Sequence, residues 1–501
     1  MYQRFRTIAE KYPDRIAITG EHHSATYRQL SEEAATLASL IPEGAVVLIA
    51  LPGGPHFTAI QLACLGAGAV AVPIPDKSTP REIRNYLALI RPDWVVTDAI
   101  DNSRAFTDSP VTLLCLREEE GGGAISEHHR VLIWAQVMDS RTIPDFPDPH
   151  GAGLPPETAM IQFTSGSTGR PKGILLSRDN LRACLENSHA FLAGFSGRDI
   201  FCPMPQFHAF GNAVVLEHLL NGSPVHLTNR FVPGDDLRRM TDYACTGLFC
   251  APNYIRLLMQ LNVLTPENLP ALDAVCMGTA AADQGLIRNL REQLPDADIW
   301  LRYGLAETVG TLTRLKIPAG KTLSHPGQVG RPVPGTEIAP GLLRPDEGPP
   351  GEIRVRSGVV GLGQLSEPGH WTPLANEAGF FATGDLGYMD EAGQLHLRGR
   401  ISTFIKRNGF RVNPFEIEAL LRDIPGIHEA VVVGIPDPLS GERIVACAEP
   451  ASEVPDTPAL MKICREHLSA YKIPQRFMAV EKLPRNPAGK PDRPAIRSLA
   501  G

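Results

Sequence analysis

The chain has no Cys-x-x-Cys pair, no basic excess, no long uninterrupted apolar run, no internal repeat and no low-complexity tract. Each absence removes a class. Nine cysteines (Cys64, Cys115, Cys184, Cys202, Cys245, Cys250, Cys276, Cys447 and Cys464) are scattered without pattern. An odd, unpaired set fits a reducing compartment better than a disulfide framework, and several lie in apolar runs as small buried hydrophobes. A formal charge of −7 over 501 residues argues against an electrostatic nucleic-acid binder; pairs such as Arg238-Arg239 read as solvated helix faces. The most apolar stretch, residues 59–75, is broken by Gln61, small residues and Pro73, so no membrane span is expected. The start, Met1-Tyr2-Gln3-Arg4-Phe5-Arg6, lacks the apolar core and cleavage site of a signal peptide. The expected location is cytoplasmic.

What is there is an ordinary globular composition, 43% hydrophobic and 21% charged, on a chain long enough for two or more domains. Short apolar runs alternate with amphipathic segments. Residues 46–50, 70–74 and 94–96 read as buried strands, with helices at 57–66 and 81–90 between them. The pattern continues as strand 248–250, helix 254–261 and strand 274–277. Such alternation predicts an α/β fold of layered, mostly parallel sheets and helices. A turn-rich region from 318 to 351 breaks the rhythm, and alternating strands at 352–356 and 394–398 follow. The last hundred residues read as a small α+β unit, with helices at 414–423 and 458–471 and strands at 430–435, 444–448 and 476–480. Two domains are expected, 1–399 and 400–501.

The strongest local signal is Thr164-Ser165-Gly166-Ser167-Thr168-Gly169-Arg170-Pro171-Lys172-Gly173, after the apolar strand 159–163. Glycines allow a tight backbone turn with exposed N–H groups, and four hydroxyls and Lys172 add donors. A concave, donor-rich loop of this kind suits a polyphosphate. It is not a Walker A loop, because Pro171 stands where that motif needs glycine before the lysine. An unrelated P-loop ATPase or kinase is therefore disfavoured.

With this loop, four further segments in matching order and spacing resemble the adenylate-forming superfamily of acyl- and aryl-CoA synthetases, nonribosomal-peptide adenylation domains and luciferases. They are Tyr303-Gly304-Leu305-Ala306-Glu307-Thr308, Thr383-Gly384-Asp385, Arg398-Gly399-Arg400 with Gly409-Phe410-Arg411-Val412, and Asn486-Pro487-Ala488-Gly489-Lys490. The N-terminal pattern Leu65-Gly66-Ala67-Gly68-Ala69-Val70-Ala71-Val72-Pro73 extends the resemblance over nearly the whole chain. It implies a large N-terminal adenylation domain and a small mobile C-terminal domain. It also implies ATP and Mg²⁺ as cofactors, a small carboxylic acid as substrate, and CoA or a carrier-protein phosphopantetheine as acceptor.

Carried over position by position, the resemblance makes Tyr303 the residue that stacks on the adenine, Gly304 beside it part of the ATP site, and Glu307 the Mg²⁺ ligand. Thr308 contacts the phosphates, and Asp385, with Arg400 beside it, takes the ribose hydroxyls. The residue types suit these tasks: an aromatic face for a purine, a hard carboxylate for Mg²⁺, one carboxylate for two vicinal hydroxyls. Lys490, on its own a solvated tail residue, becomes the catalytic cation that offsets charge as a carboxylate attacks the α-phosphate. The resemblance further implies that the C-terminal domain rotates between half-reactions and carries Gly409 into the thiol tunnel. At the hinge, two residues after Arg400, Asp or Lys is usual; this chain has Ser402.

Phe207-His208-Ala209-Phe210-Gly211 resembles the segment opening the acyl pocket. Amino-acid-activating relatives commonly carry aspartate where His208 stands, so an aryl or fatty acid without an α-amine is favoured. Asn212, Gly278, Thr279, Ala280 and Gly310 are further pocket candidates, and equally candidates for plain helix packing. CoA is favoured as acceptor, with a carrier protein left open. Two rivals from other classes remain: an adenylate-binding scaffold without turnover, and a luciferase-type oxygenase.

Overall fold

The structure is a computed structural model; it describes residues 1–98, 111–116, 130–139, 153–164, 172–229, 232–280, 282–339, 351–407, 410–437, 440–450, 456–468, 470–486 and 489–501. The strand Val46–Ala50 is buried along its whole length. It pairs in parallel with Val70–Pro73 on one side and Trp94–Thr97 on the other. Strands covered on both faces have no polar side to show, so they read as continuous apolar runs rather than alternations. The helix Pro55–Ala67 between them opens on proline, where a missing N–H costs nothing. It ends at Gly68, whose φ of +79° is the left-handed cap glycine adopts freely. Every residue from Phe57 to Cys64 is buried. The apolar stretch of the sequence is thus an interior helix, and among the described residues no helix is long and apolar enough to cross a membrane.

Among the described residues this first sheet has nine strands, in the order 370–373, 363–367, 172–177, 158–164, 70–73, 46–50, 94–97, 112–115, 130–133. A second sheet of thirteen carries 274–277, 298–303, 381–389 and 395–400. One apolar cluster joins Val47 and Ile49 of the first sheet, Ile60 and Leu62 of the interior helix, and Phe249 and Cys276 of the second. The helices therefore fill the space between two sheets, the layered α/β architecture expected. The turn-rich region is not structureless: Gln328–Pro332 and Thr336–Ile338 are strands of the larger sheet.

Among the described residues a five-stranded sheet forms the C-terminal unit, built on the strands Ile427–Asp437 and Gly441–Pro450. These strands outrun their apolar centres because the ladder continues residue for residue to Asp437↔Gly441. The helix expected to reach Tyr471 stops at His467. Leu468 turns to an extended backbone (φ −124°, ψ 144°) and packs into the C-terminal core. Among the described residues no apolar cluster crosses the chain near Arg400: three lie wholly within residues 1–397 and two within 405–500. On this ground we place the division between the units at about that arginine.

Candidate active site

The phosphate-loop candidates Ser165, Gly166, Ser167, Thr168 and Gly169 lie outside the described residues, but their flanks do not. Thr158–Thr164 and Lys172–Ser177 pair antiparallel, with Thr164 opposite Lys172. The segment after the loop is thus a strand paired with the one before it, whereas a Walker A loop leads into a helix. Thr164 and Lys172 stand half-buried at its base.

Asp385 and Arg400 are opposite each other in an antiparallel ladder, so their pairing follows from strand register. Arg400 Nε lies 2.7 Å from Asp385 Oδ1, and the Tyr303 hydroxyl donates to Asp385 Oδ2 at 2.8 Å. Asp385 is 7% exposed. Burial raises its carboxyl above the usual range, opposed by the Arg400 guanidinium and the Tyr303 hydroxyl. Each carboxylate oxygen keeps a lone pair for a further donor, as two ribose hydroxyls require. Tyr303 is itself 7% exposed, with its ring in the core cluster. Gly304 is required here, since a Cβ would stand 2.0 Å from the Gly310 carbonyl oxygen.

From the other unit, Lys490 reaches the same place. Its loop is fixed by Asn486, whose N–H donates to the Lys490 carbonyl and whose side chain accepts from the Lys490 N–H at 3.0 Å. Gly489 turns the chain at φ +73°. Its carbonyl accepts from Asn253 Nδ2 of the large domain at 3.3 Å. Burial lowers the affinity of the Lys490 amine for its proton, and Arg400 adds to this; Asp385 and Glu307 act the other way. Two acidic side chains and two basic ones, drawn from both units, thus share one electrostatic environment. The half-buried Glu307 carboxylate has no hydrogen bond or ion pair among the described residues.

Thr308 departs from expectation. Its hydroxyl accepts from the Leu305 N–H at 3.0 Å and donates to the Leu305 and Gly310 carbonyls. Buried and committed to its own turn, it is placed to hold Glu307 in position, with no free donor for a phosphate in this state.

His208 caps the helix Ala209–Leu219, its Nδ1 accepting from the Phe210 N–H. Burial pushes the imidazole down to about 4, with the Lys490 charge adding to the effect, so it is neutral near pH 7. Asn212 is buried, its Oδ1 accepting from Gln61 Nε2 at 2.9 Å. Two of the small pocket candidates are already filled. A Cβ on Gly278 would meet the Phe210 ring at 2.5 Å, and one on Gly310 the Cys184 sulfur at 2.5 Å. Ala280 is exposed. Thr279 adopts φ +71° and Val309 φ +42°, a region β-branched residues avoid and that tends to persist at functional sites. Gly409 and the side chain of Ser402 lie outside the described residues.

Sequence reasoning missed Asn253, Gln61 and Gln162, which act through partners far along the chain. It also missed the buried pair Arg302–Glu217, 2.9 Å apart. A proline-led helix start at 252 was the one local hint for Asn253.

Comparison with known proteins bears on the chain as a whole. The family described as AMP-binding enzyme matches residues 5–363, and that described as AMP-binding enzyme C-terminal domain matches 416–490. The chain is similar to a sulfoacetate–CoA ligase of Cupriavidus necator, 30% identical over 522 residues, covering 97% of this chain and 95% of the relative. Among solved structures it resembles ATP-bound MatB from Rhodopseudomonas palustris, with a TM-score of 0.83, 25% identity and coverage of 99% and 98%. The amide bond synthetase McbA from Marinactinospora thermotolerans gives 0.81 at 25% identity, with both chains covered in full at 100%. The chain therefore belongs to the AMP-binding enzyme family, within the adenylate-forming superfamily, and is an acyl-CoA-synthetase-like enzyme of the AMP-forming acid–thiol ligase kind.

Proposed function

We propose that the chain activates a carboxylic acid without an α-amine and passes the acyl group to the thiol of CoA. In the first step a carboxylate oxygen attacks the α-phosphorus of ATP, the bond to the β-phosphate oxygen breaks, and pyrophosphate leaves. In the second a thiolate sulfur attacks the acyl carbon and AMP departs with the bridging oxygen. One observation carries the reading: Lys490 sits next to Gly489, whose carbonyl accepts from Asn253 of the large domain, within electrostatic reach of Asp385, Arg400 and Glu307.

That geometry supports the following roles. Asp385, oriented by Tyr303 and Arg400, receives the ribose hydroxyls. Lys490, between nucleotide and acid, offsets the negative charge that gathers as two anions meet. Glu307 would hold Mg²⁺ with the triphosphate oxygens. Its uncommitted carboxylate fits, and among the described residues there is no three-ligand cluster; Mg²⁺ commonly takes one or two carboxylates plus phosphate. When bound, the ion neutralises phosphate charge. The neutral His208 beside cationic Lys490 offers no anion for an α-ammonium, which supports an acid lacking one.

CoA is favoured as acceptor on the likeness to named CoA ligases over nearly their full length; a carrier-protein phosphopantetheine presents the same reactive arm. The test is pyrophosphate release from ATP with a panel of aromatic, aliphatic and amino acids, followed by thioester formation with CoA or a phosphopantetheinylated carrier. Pyrophosphate release with no acid on the panel would refute the ligase reading. Amino acids outrunning all others would refute the substrate class.

A further inference from the structure

Lysine carries its amine on a flexible four-carbon stem, so the amine of Lys490 is placed only as well as the backbone beneath it. Within its own unit that backbone is tied to Asn486 at both the N–H and the carbonyl. Across the seam, the Gly489 carbonyl accepts from Asn253 Nδ2 at 3.3 Å; from its own unit it accepts from Arg485 at 3.1 Å. A Cβ on Gly489 would find Asn253 Nδ2 at 3.7 Å and, chain neighbours aside, no other described heavy atom within 4 Å. In that direction the lysine loop faces one amide of the large domain.

The fold puts that amide at the rim of the site. The parallel strands Gly247–Cys250, Ala274–Met277 and Asp298–Tyr303 run side by side, with Cys250 opposite Met277 and Met277 opposite Leu301. Tyr303 stands two residues past Leu301, and Asn253 three past Cys250, in the first turn of the helix Pro252–Gln260. Both therefore lie at the carboxyl ends of this strand group, the side on which parallel sheets hold their ligands. The helix itself has two faces. Tyr254, Ile255 and Leu258 are buried in an apolar cluster of the large domain. Asn253, Arg256 and Gln260, spaced three and four apart, share another face. It looks to the C-terminal unit: Asn253 bonds to Gly489, Arg256 pairs with Asp283, which also faces Arg422, and Gln260 meets His428. Of the three, Asn253 is the one bonded to the neighbour of Lys490.

We infer that Asn253 is a positioning residue for adenylation, fixing Lys490 through the Gly489 carbonyl while the two units are docked. The inference rests on the ligase reading above. The bond runs between the units, so it serves only the arrangement in which Lys490 is presented, and it breaks when the C-terminal unit moves away. Arg485 keeps the Gly489 carbonyl occupied without Asn253, and Asn486 keeps the turn. Removing the Asn253 amide therefore loosens where the lysine loop is held and leaves the loop's own shape intact.

The experiment uses the full chain with ATP, CoA and an acid from the panel above that is turned over. It reads the half-reactions apart, as pyrophosphate release and as thioester formation from preformed acyl-AMP. Asn253→Ala should slow adenylation by roughly five- to tenfold, the share of one neutral hydrogen bond, and largely spare thiol transfer. Asn253→Leu keeps the bulk without the amide and should do the same; it makes the test alone should the alanine variant not fold. Because Asn253 acts through Lys490, neither substitution should slow adenylation further in a Lys490→Ala background, since residues that act as a unit are not additive. A loss shared equally by both half-reactions overturns the inference. So does a full further loss in the Lys490→Ala background, or a variant lacking the amide that adenylates as fast as the wild type. Each of these leaves the ligase reading standing, whereas silence toward every acid removes that reading first.

Discussion

The large domain is joined to itself by apolar side chains; the C-terminal unit is joined to it by polar ones. Within residues 1–397 a single cluster runs from one sheet through the interior helix to the other sheet. Between the units the contacts are of another kind. Arg256 and Arg422 share Asp283, Asn253 donates to the Gly489 carbonyl, and Gln260 meets His428. Apolar burial is non-directional and lost only by unfolding, whereas a polar interface can be exchanged for water at modest cost, so relative motion is its default. On the function proposed above, Lys490 is the adenylating lysine, and it sits on the unit joined by this polar seam. A device that must present a cation for one step and withdraw it for the next needs such a division.

The sharpest way to break this comparison is to remove the delivered group. Lys490→Ala should slow acyl-adenylate formation by about a hundredfold or more, while thiol transfer from preformed acyl-AMP is largely spared. Equal loss in both half-reactions would mean that the lysine supports the fold of the C-terminal unit and not one step of chemistry.

A smaller effect belongs to the rigid side. His218 is wholly buried, edge-on to Phe249 at 4.6 Å and to Phe195 at 5.7 Å. Neither of its ring nitrogens has a hydrogen-bond partner among the described residues. Burial lowers the imidazole from 6.5 to about 3, with Glu217 opposing and Arg302 assisting. Unfolded, the ring takes its proton near the ordinary value; folded, it refuses it until far lower. Its contribution is therefore present in full above that ordinary value and is lost progressively as pH falls toward 3. At pH 5 this amounts to roughly 2 kcal/mol. His218→Phe keeps the ring and removes the titration. Urea midpoints measured at neutral and acid pH should converge in the variant by about that amount. An unchanged acid slope would place the sensitivity elsewhere, His208 being the next histidine with a lowered value.

The reach of the sequence follows the same division. Buried parallel strands and the interior helix were legible because apolar periodicity is local. Asp385, Arg400 and Lys490 were legible because a motif fixes residue type and order. What was not legible depends on partners distant in the chain. Asn212 is held by Gln61 151 residues away, and no spacing rule connects them. Thr308 has the residue type of a phosphate contact, and only the left-handed turn at Val309 beside it goes with the hydroxyl being spent on its own backbone. The strand after the candidate phosphate loop, Lys172–Ser177, was missed because glycine, proline and lysine at its start mask the apolar run that follows.

The finest adjustment of the comparison is at Asp283. Its Oδ1 caps the helix Gln284–Gln293 by accepting from the Leu286 N–H. Its Oδ2 pairs with Arg256 and lies 3.8 Å from Arg422 Nε. Asp283→Asn keeps the size and the cap but removes the charge that faces both arginines. Arg422 keeps Glu418 and Glu429 within its own unit, while Arg256 loses the carboxylate it pairs with, a cost that falls within the large domain and not on docking. The Asp423 carboxyl, raised by burial and then by the Asp283 charge, is relieved, which offsets part of the loss. What remains is about 1 kcal/mol or less, as for partly exposed pairs, or roughly fivefold in the balance between docked and undocked units. Adenylation should fall by about that factor, thiol transfer should hold or rise, and added salt, which screens such pairs, should slow the wild type more than the variant. If Asp283→Asn slows both half-reactions alike, the charge serves the helix and not the docking, and the polar seam is no more a working hinge than the apolar core.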